Sequence, residues 1–176
     1  KQLLDFRNQK PSLLLFWCFA GAGIGVCCAL FFNALSQQFP PSDEFRTSVS
    51  SALSYQGLPF FLTILSTVII APITEEILFR GFVFTDIRQR VIVKKINTPS
   101  KNSSFSETWL ATIVATSVSA LVFMGVHLLE YYEYWVSICA VLSLGFGLAL
   151  LRHASRSLLA PIIAHSAYNL AIIVSV

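Results

Sequence analysis

Two adjacent carboxylates, Glu75 and Glu76, close an apolar run and are followed by Arg80. Neighbours on a helix project about 100° apart, so these two cannot share one face. Glu76 stands four residues before Arg80, which sets that pair side by side. The spacing predicts a division of labour in which Glu76 pairs with Arg80 and Glu75 stays available. An unpaired carboxylate in low-dielectric surroundings is a stronger base than one in water, as general-base chemistry requires. The structural alternative is an interfacial salt bridge that anchors a helix end.

Two histidines could join that carboxylate. His127 ends another apolar run, one turn after Phe123, and Gly125 between them leaves room for a backbone or a substrate. His165 lies well inside a further run, and Asn169, four residues on, shares its face. Two polar side chains stacked in an apolar helix must face a partner or water. They serve either as glue between helices or as a donor pair for an oxyanion. A carboxylate and an imidazole can activate water while a second imidazole and a carboxamide hold the developing charge, which is the chemistry of amide hydrolysis. No Ser or Cys stands beside a His in a nucleophile motif, and Ser166 follows His165 directly, which turns it away. Glu plus two His would also suit zinc, but His-Glu-x-x-His is absent and the ligands would come from three separated runs. The expectation is chemistry without a cofactor, with zinc as the alternative.

These side chains work in an unusual solvent. Hydrophobic residues make up 55% of the 176 and charged residues 12%, with a mean hydropathy of +0.70. Soluble domains carry about a quarter charged residues, so lipid must cover most of this chain. A net charge of +3, with no basic and aromatic interleaving, excludes nucleic acid as a partner. Apolar runs cover residues 13–35, 58–73, 109–129, 135–151 and 158–176, against about 20 residues needed per membrane helix. The fold expected is all-α: a multi-pass transmembrane helix bundle of about five to six membrane helices, forming one integral membrane domain over residues 1–176. Within it, ionisable residues cost about 2.5–3.5 kcal/mol on insertion scales, which marks them as functional. The cluster Gly21, Ala22, Gly23 and Gly25 suits close helix approach in lipid. Cys18, Cys27, Cys28 and Cys139 lie in apolar runs without metal-ligand spacing and read as buried small hydrophobes.

Charge orients the runs. Lys1, Arg7 and Lys10 precede the first; Arg88, Arg90, Lys94, Lys95 and Lys101 separate the second and third; Arg152 and Arg156 separate the last two. The opposite loops hold Arg46, with Asp43, Glu44, Glu130 and Glu133 nearby. The positive-inside rule places the N-terminus and both basic loops in the cytoplasm of a plasma-membrane protein. Residues 75–92 mix apolar and charged positions, as in a helix leaving the membrane or lying at its cytoplasmic surface.

In this order the motifs resemble a known family. Glu75, Glu76, Arg80 and Gly81, then Phe123-x-x-x-His127, then His165-x-x-x-Asn169 are similar to those of the CAAX protease and bacteriocin-processing family, also called type II CAAX prenyl endopeptidase-like or abortive-infection proteins. Leu144 to Gly147 and Ser157 to Pro161 also look like it, and residues 58–173 carry the likeness. The resemblance implies a helical bundle with a conical cavity open to the cytosol and lipid, and glutamate-dependent proteolysis independent of metal. Glu75 would activate water with help from His127, His165 and Asn169 would form the oxyanion hole, and Glu76 with Arg80 would support the site. The substrate would be a membrane-associated peptide or protein, lipidated or not. Two other readings stand beside it: a non-catalytic scaffold or bacteriocin-immunity protein of the same family, and a small proton-linked transporter, against which the lack of an internal repeat counts.

One placement conflicts with this scheme. If Pro72 closes the second span, Glu75 lies at its cytoplasmic end, while His127 lies at the far end of the third. Either Pro72 begins a separate helix that dips back, or the third span starts deeper than Trp109.

Overall fold

The structure is a computed structural model, and it describes residues 10–54, 56–96 and 105–175. Among these the chain forms six helices and no strand: α1 (Pro11–Gln38), α2 (Asp43–Leu53), α3 (residues 58–96), α4 (Phe105–Tyr131), α5 (Trp135–Ser155) and α6 (Leu159–Ser175). Four of them, α1, α3, α4 and α5, are long and apolar enough to cross a membrane. α6 is equally apolar but has 17 residues, about 26 Å of helix against a core of about 30 Å. The chain is an integral membrane protein. Lys1, Arg7, Lys101 and the polar linker 97–104 lie outside the described residues.

The bundle is apolar outside and small or polar within. Phe19, Phe31, Phe61, Phe82, Ile113 and Leu129 face outward, while Ala111, Ala115, Ala120, Ala149, Ala160, Thr112 and Ser119 are buried. Lipid tails are as apolar as Leu, so burying large side chains gains little here, and close packing of small ones holds the helices. For the same reason the cysteines are not buried as the sequence suggested. Cys27 and Cys139 are exposed on the lipid-facing surface, Cys18 and Cys28 are half-buried, and all four are free thiols.

Gly21, Gly25 and Ala29 of α1 meet Ala160, Ala164 and Tyr168 of α6 in step, so these helices run parallel. Gly21 also reaches Leu151, near the far end of α5, which runs against them. α4 returns beside α5, with Gly145 against Ala120 and Phe123. α3 runs antiparallel to α4: Arg88 bonds Thr112 at 3.3 Å and Phe79 accepts from Ser119 at 3.0 Å. Tyr134 donates to the Phe39 carbonyl at 2.6 Å and ties the end of α1 to the α4–α5 turn. The short α2 starts on Ser42, whose hydroxyl accepts from the Phe45 amide at 3.2 Å.

α3 corrects the sequence reading. Pro72 neither ends the second span nor starts a separate helix, and α4 does not begin deeper than expected. The chain instead stays helical through residues 58–96, with Glu75 near the middle. Pro72 is absorbed because the turn before it, Ser66–Ile70, widens into a π-helical turn, and a second widened turn covers Ile77–Val83. Residues 75–92 continue the same helix, and the stretch long and apolar enough to cross a membrane runs over Leu58–Ile92.

A side chain at Gly25 would fall on the Ala164 carbonyl, whereas one at Gly23 meets nothing within 4 Å. Gly25→Ala is expected to push α1 off α6 and cost about 1–3 kcal/mol, the usual range for overpacking. Thermal unfolding in detergent should show that loss, with Gly23→Ala unchanged.

Candidate active site

The predicted division between the glutamates is present. Glu76 and Arg80 are both fully buried and paired at 2.8 Å, while the Glu75 side chain keeps 25% of its exposure. The second Arg80 nitrogen donates to the Gly145 carbonyl at 3.0 Å. The guanidinium carbon lies 4.5 Å from the Phe123 ring centroid, within cation–π range. Burying charge in this way is tolerable only with such partners around it.

Both histidines turn the same nitrogen toward Glu75. His127 Nδ1 lies 2.8 Å from the Phe123 carbonyl, which can only accept, so Nδ1 carries the proton. His165 Nδ1 lies 3.0 Å from Glu76 Oε1, the oxygen that also takes Arg80. That oxygen already accepts from the Arg80 guanidinium, so Nδ1 is the donor here too. The Nε2 atoms then stand 3.8 Å (His127) and 3.9 Å (His165) from Glu75 Oε2. These gaps exceed a direct hydrogen bond and suit a water shared between the groups. Glu75 Oε2 is itself a buried atom without a protein hydrogen-bond partner.

Asn169 is fixed by a consequence of Pro72. The Ala71 amide bonds back to Ser66, five residues away, and Pro72 has no amide hydrogen. The Thr67 carbonyl is thereby left without a helical donor, and Asn169 Nδ2 supplies one at 2.9 Å. Its second Nδ2 hydrogen remains for the cavity. The six residues singled out by sequence, Glu75, Glu76, Arg80, His127, His165 and Asn169, are thus brought to one place by α3, α4 and α6.

The sequence reading gave no role to three neighbours. Phe123 packs against Arg80 and both imidazoles, with ring centroids 4.7 Å from His127 and 5.7 Å from His165. Gly145 supplies a carbonyl, and Thr67 supplies another. The signal for Phe123 was its place one turn before His127. That for Thr67 was its place five residues before a proline.

Glu75, His127, His165 and Asn169 line a cavity of about 840 Å³. Its other walls include Asn33 and Ser36 of α1, Glu44 of α2, and Tyr131 and Tyr168. Among the described residues no group of three His, Cys, Asp or Glu side chains is arranged to hold a metal ion. Three tetrahedral zinc ligands would sit roughly 3.3 Å apart, closer than either Glu75–histidine distance.

A lipid-covered helix bundle with carboxylate, imidazole and carboxamide groups around an internal cavity defines a polytopic membrane protein with a polar intramembrane site. The family model described as "Type II CAAX prenyl endopeptidase Rce1-like" matches residues 57–171, about two thirds of the chain, and the chain belongs to that family. The family is one of membrane proteases acting on membrane-associated protein substrates. No curated protein and no solved structure matches the chain.

Arg80→Met would leave Glu76 buried and uncompensated, and should cost about 3–5 kcal/mol. Pairing it with Glu76→Gln should recover a large part of that loss. Unfolding of the singles and the double in mixed micelles gives the coupling energy, and additivity of the singles would deny the pair its central place.

Proposed function

We propose that this protein is a glutamate-dependent intramembrane endopeptidase that hydrolyses a peptide bond in a membrane-associated peptide or protein. The observation that carries the reading is the convergence of Glu75 Oε2 with two imidazole Nε2 atoms at 3.8 and 3.9 Å on the wall of a cavity large enough for an extended peptide.

The chemistry follows from the hydrogen bonds. A water held between Glu75 and His127 attacks the scissile carbonyl carbon and gives its proton to Glu75. Asn169 stabilises the oxyanion with the Nδ2 hydrogen not used by Thr67. His165 can donate from Nε2 only when protonated on both nitrogens, and the Glu76 carboxylate on Nδ1 compensates that charge. His127 has a neutral carbonyl behind it, which suits it to accept from water. When the carbon–nitrogen bond breaks, the proton held by Glu75 passes to the leaving amine. Glu76, Arg80 and Phe123 position these groups and touch no substrate. The reaction so written needs no metal or other cofactor.

The family supports a membrane-associated substrate and makes a prenylated C-terminal peptide the first one to try. The bacteriocin-related readings rest on the sequence resemblance alone.

The experiment is cleavage of a prenylated CAAX-type peptide and an unlipidated single-span peptide by purified protein in nanodiscs. Glu75→Gln should lower turnover about 10³-fold or more while leaving the thermal midpoint unchanged. Asn169→Ala should lose about 10²–10³ in kcat, the range for one oxyanion donor. Equal turnover by Glu75→Gln and wild type would overturn the assignment. A scaffold or immunity protein would cleave neither peptide in any form. A strong chelator should leave the rate unchanged, and a loss restored by zinc would replace the cofactor-free mechanism.

A further inference from the structure

Among the described residues two tyrosines are buried, and their hydroxyls fare differently. Tyr134 spends its hydroxyl on the Phe39 carbonyl at 2.6 Å. Tyr168, only 9% exposed, has its ring enclosed with Ala29, Leu144, Leu148 and Ala164. Its hydroxyl has no hydrogen-bond partner among the described residues, and it is open to the cavity that Tyr168 lines. A buried phenol ordinarily finds an acceptor, and a tyrosine kept for the membrane interface would face outward. Tyr168 does neither. Asn33 is a second case. It stands in the membrane-spanning α1 and lines the same cavity, and its carboxamide has no partner among the described residues. α1 and α6 run parallel with Gly25 beside the Tyr168 amide, so Asn33 lies farther along the same seam, one turn past Ala29. α3 turns Thr63, Thr67, Ala71 and Glu75 to the cavity at every fourth position. The three small side chains leave a lane along α3 up to Glu75.

We propose that Tyr168 and Asn33 bind the main chain of the substrate, with the Tyr168 hydroxyl donating to a peptide carbonyl within about two residues of the scissile bond. This rests on the endopeptidase reading above and deepens it. Tyr168 is three residues from His165, about 4.5 Å along α6, against about 3.3 Å per residue of extended chain. A peptide laid in the lane carries a carbonyl and an amide at every residue, and between membrane helices each of these needs a partner. A phenol and a carboxamide are neutral, so they match these neutral groups whatever side chains the peptide bears. Asn33 can both donate and accept, and it takes a main-chain group about two residues farther from the cut. This wall of the cavity therefore reads backbone and not sequence.

Tyr168→Phe removes only a hydroxyl that bonds nothing in the protein, so the thermal midpoint in nanodiscs should stay at the wild-type value. On a single-span fluorogenic peptide its kcat/KM should fall about three- to tenfold, the worth of one neutral hydrogen bond. Peptides with a trans-alkene in place of one flanking peptide bond at a time locate the partner. At one position within two residues of the cut, the alkene should cost the wild type a similar factor and cost Tyr168→Phe nothing more. Asn33→Ala should behave in the same way toward an alkene about two residues farther out. Unchanged kcat/KM in a variant, or alkene losses equal to those of the wild type at every position, overturns the role of that residue. Binding is read apart from turnover in Glu75→Gln protein, with photo-leucine beside the scissile bond of the peptide. Crosslinks should fall within residues 29–36 and 165–172, and weaken severalfold when Tyr168→Phe is added. Crosslinks elsewhere, or undiminished, overturn the proposal. If the wild type cuts no peptide, the endopeptidase reading falls, while the crosslinks still decide whether this wall holds a peptide.

Discussion

The structure depends on an ion pair that lipid would not tolerate by itself. Glu76 and Arg80 are fully buried, and an isolated charge in such surroundings costs several kcal/mol. The pair persists because every helix around it contributes. α5 gives the Gly145 carbonyl, α4 gives the Phe123 ring, and α6 gives His165 to the shared carboxylate oxygen. The rest of the site follows in order. Glu76 fixes the His165 ring, which aims Nε2 at Glu75. Arg80 fixes Phe123, whose carbonyl holds His127 in the matching orientation.

Such a hub forms only if backbones come close. A side chain at Gly145 would press on Ala120 and Phe123 at 3.2–3.3 Å, and Gly21 and Gly25 bring α1 against the α6 carbonyls. Away from these contacts the bundle loosens. α3 and α4 are joined from Arg88–Thr112 to Phe79–Ser119, and meet last around Glu75 and His127. Beyond that point the side chains of Thr63 and Thr67 on one helix and Glu130 and Tyr131 on the other face the cavity. A closed half and an open half are thus products of one packing pattern, and the reactive groups sit at the boundary between them. Water can reach that boundary from the open half without entering the closed one.

Much of this was legible from local spacing. The five apolar runs coincide with α1, α3, α4, α5 and α6 to within a few residues at most ends, because hydropathy and helix length dominate in lipid. The separation of Glu75 from Glu76 and the stacking of His165 with Asn169 followed from helical geometry alone. The far end of the second span did not. Its charged residues read as an exit from the membrane near Pro72, whereas packing against α4 keeps Phe79, Arg80 and Phe84 buried in the bundle. The depth conflict between Glu75 and His127 arose from that error. Phe123 and Gly145 stood in the motifs without a role, because a ring face against Arg80 and a carbonyl accepting from it are set by packing between helices and not by spacing along one. The cysteines were misplaced by a rule for water: an apolar side chain needs burial there, but lipid serves as well.

Pro72 shows how a membrane helix turns a backbone defect into a positioned functional group. A carbonyl left unpaired in hydrocarbon costs several kcal/mol, so a proline inside such a helix needs a repair. Here the helix widens before Pro72 and leaves Thr67 exposed to a side-chain donor from α6, and Asn169 takes the place. At the second widened turn the Phe84 amide bonds back to Phe79, and the Arg80 carbonyl that it passes over accepts from the Thr85 hydroxyl, while Ser119 adds a second bond to Phe79. The requirement runs in both directions. Without Asn169 the Thr67 carbonyl has no partner, and without the freed carbonyl Asn169 would be a polar group loose in an apolar helix. Each satisfies the other, and the pairing leaves one amide hydrogen of Asn169 free at the cavity beside His165.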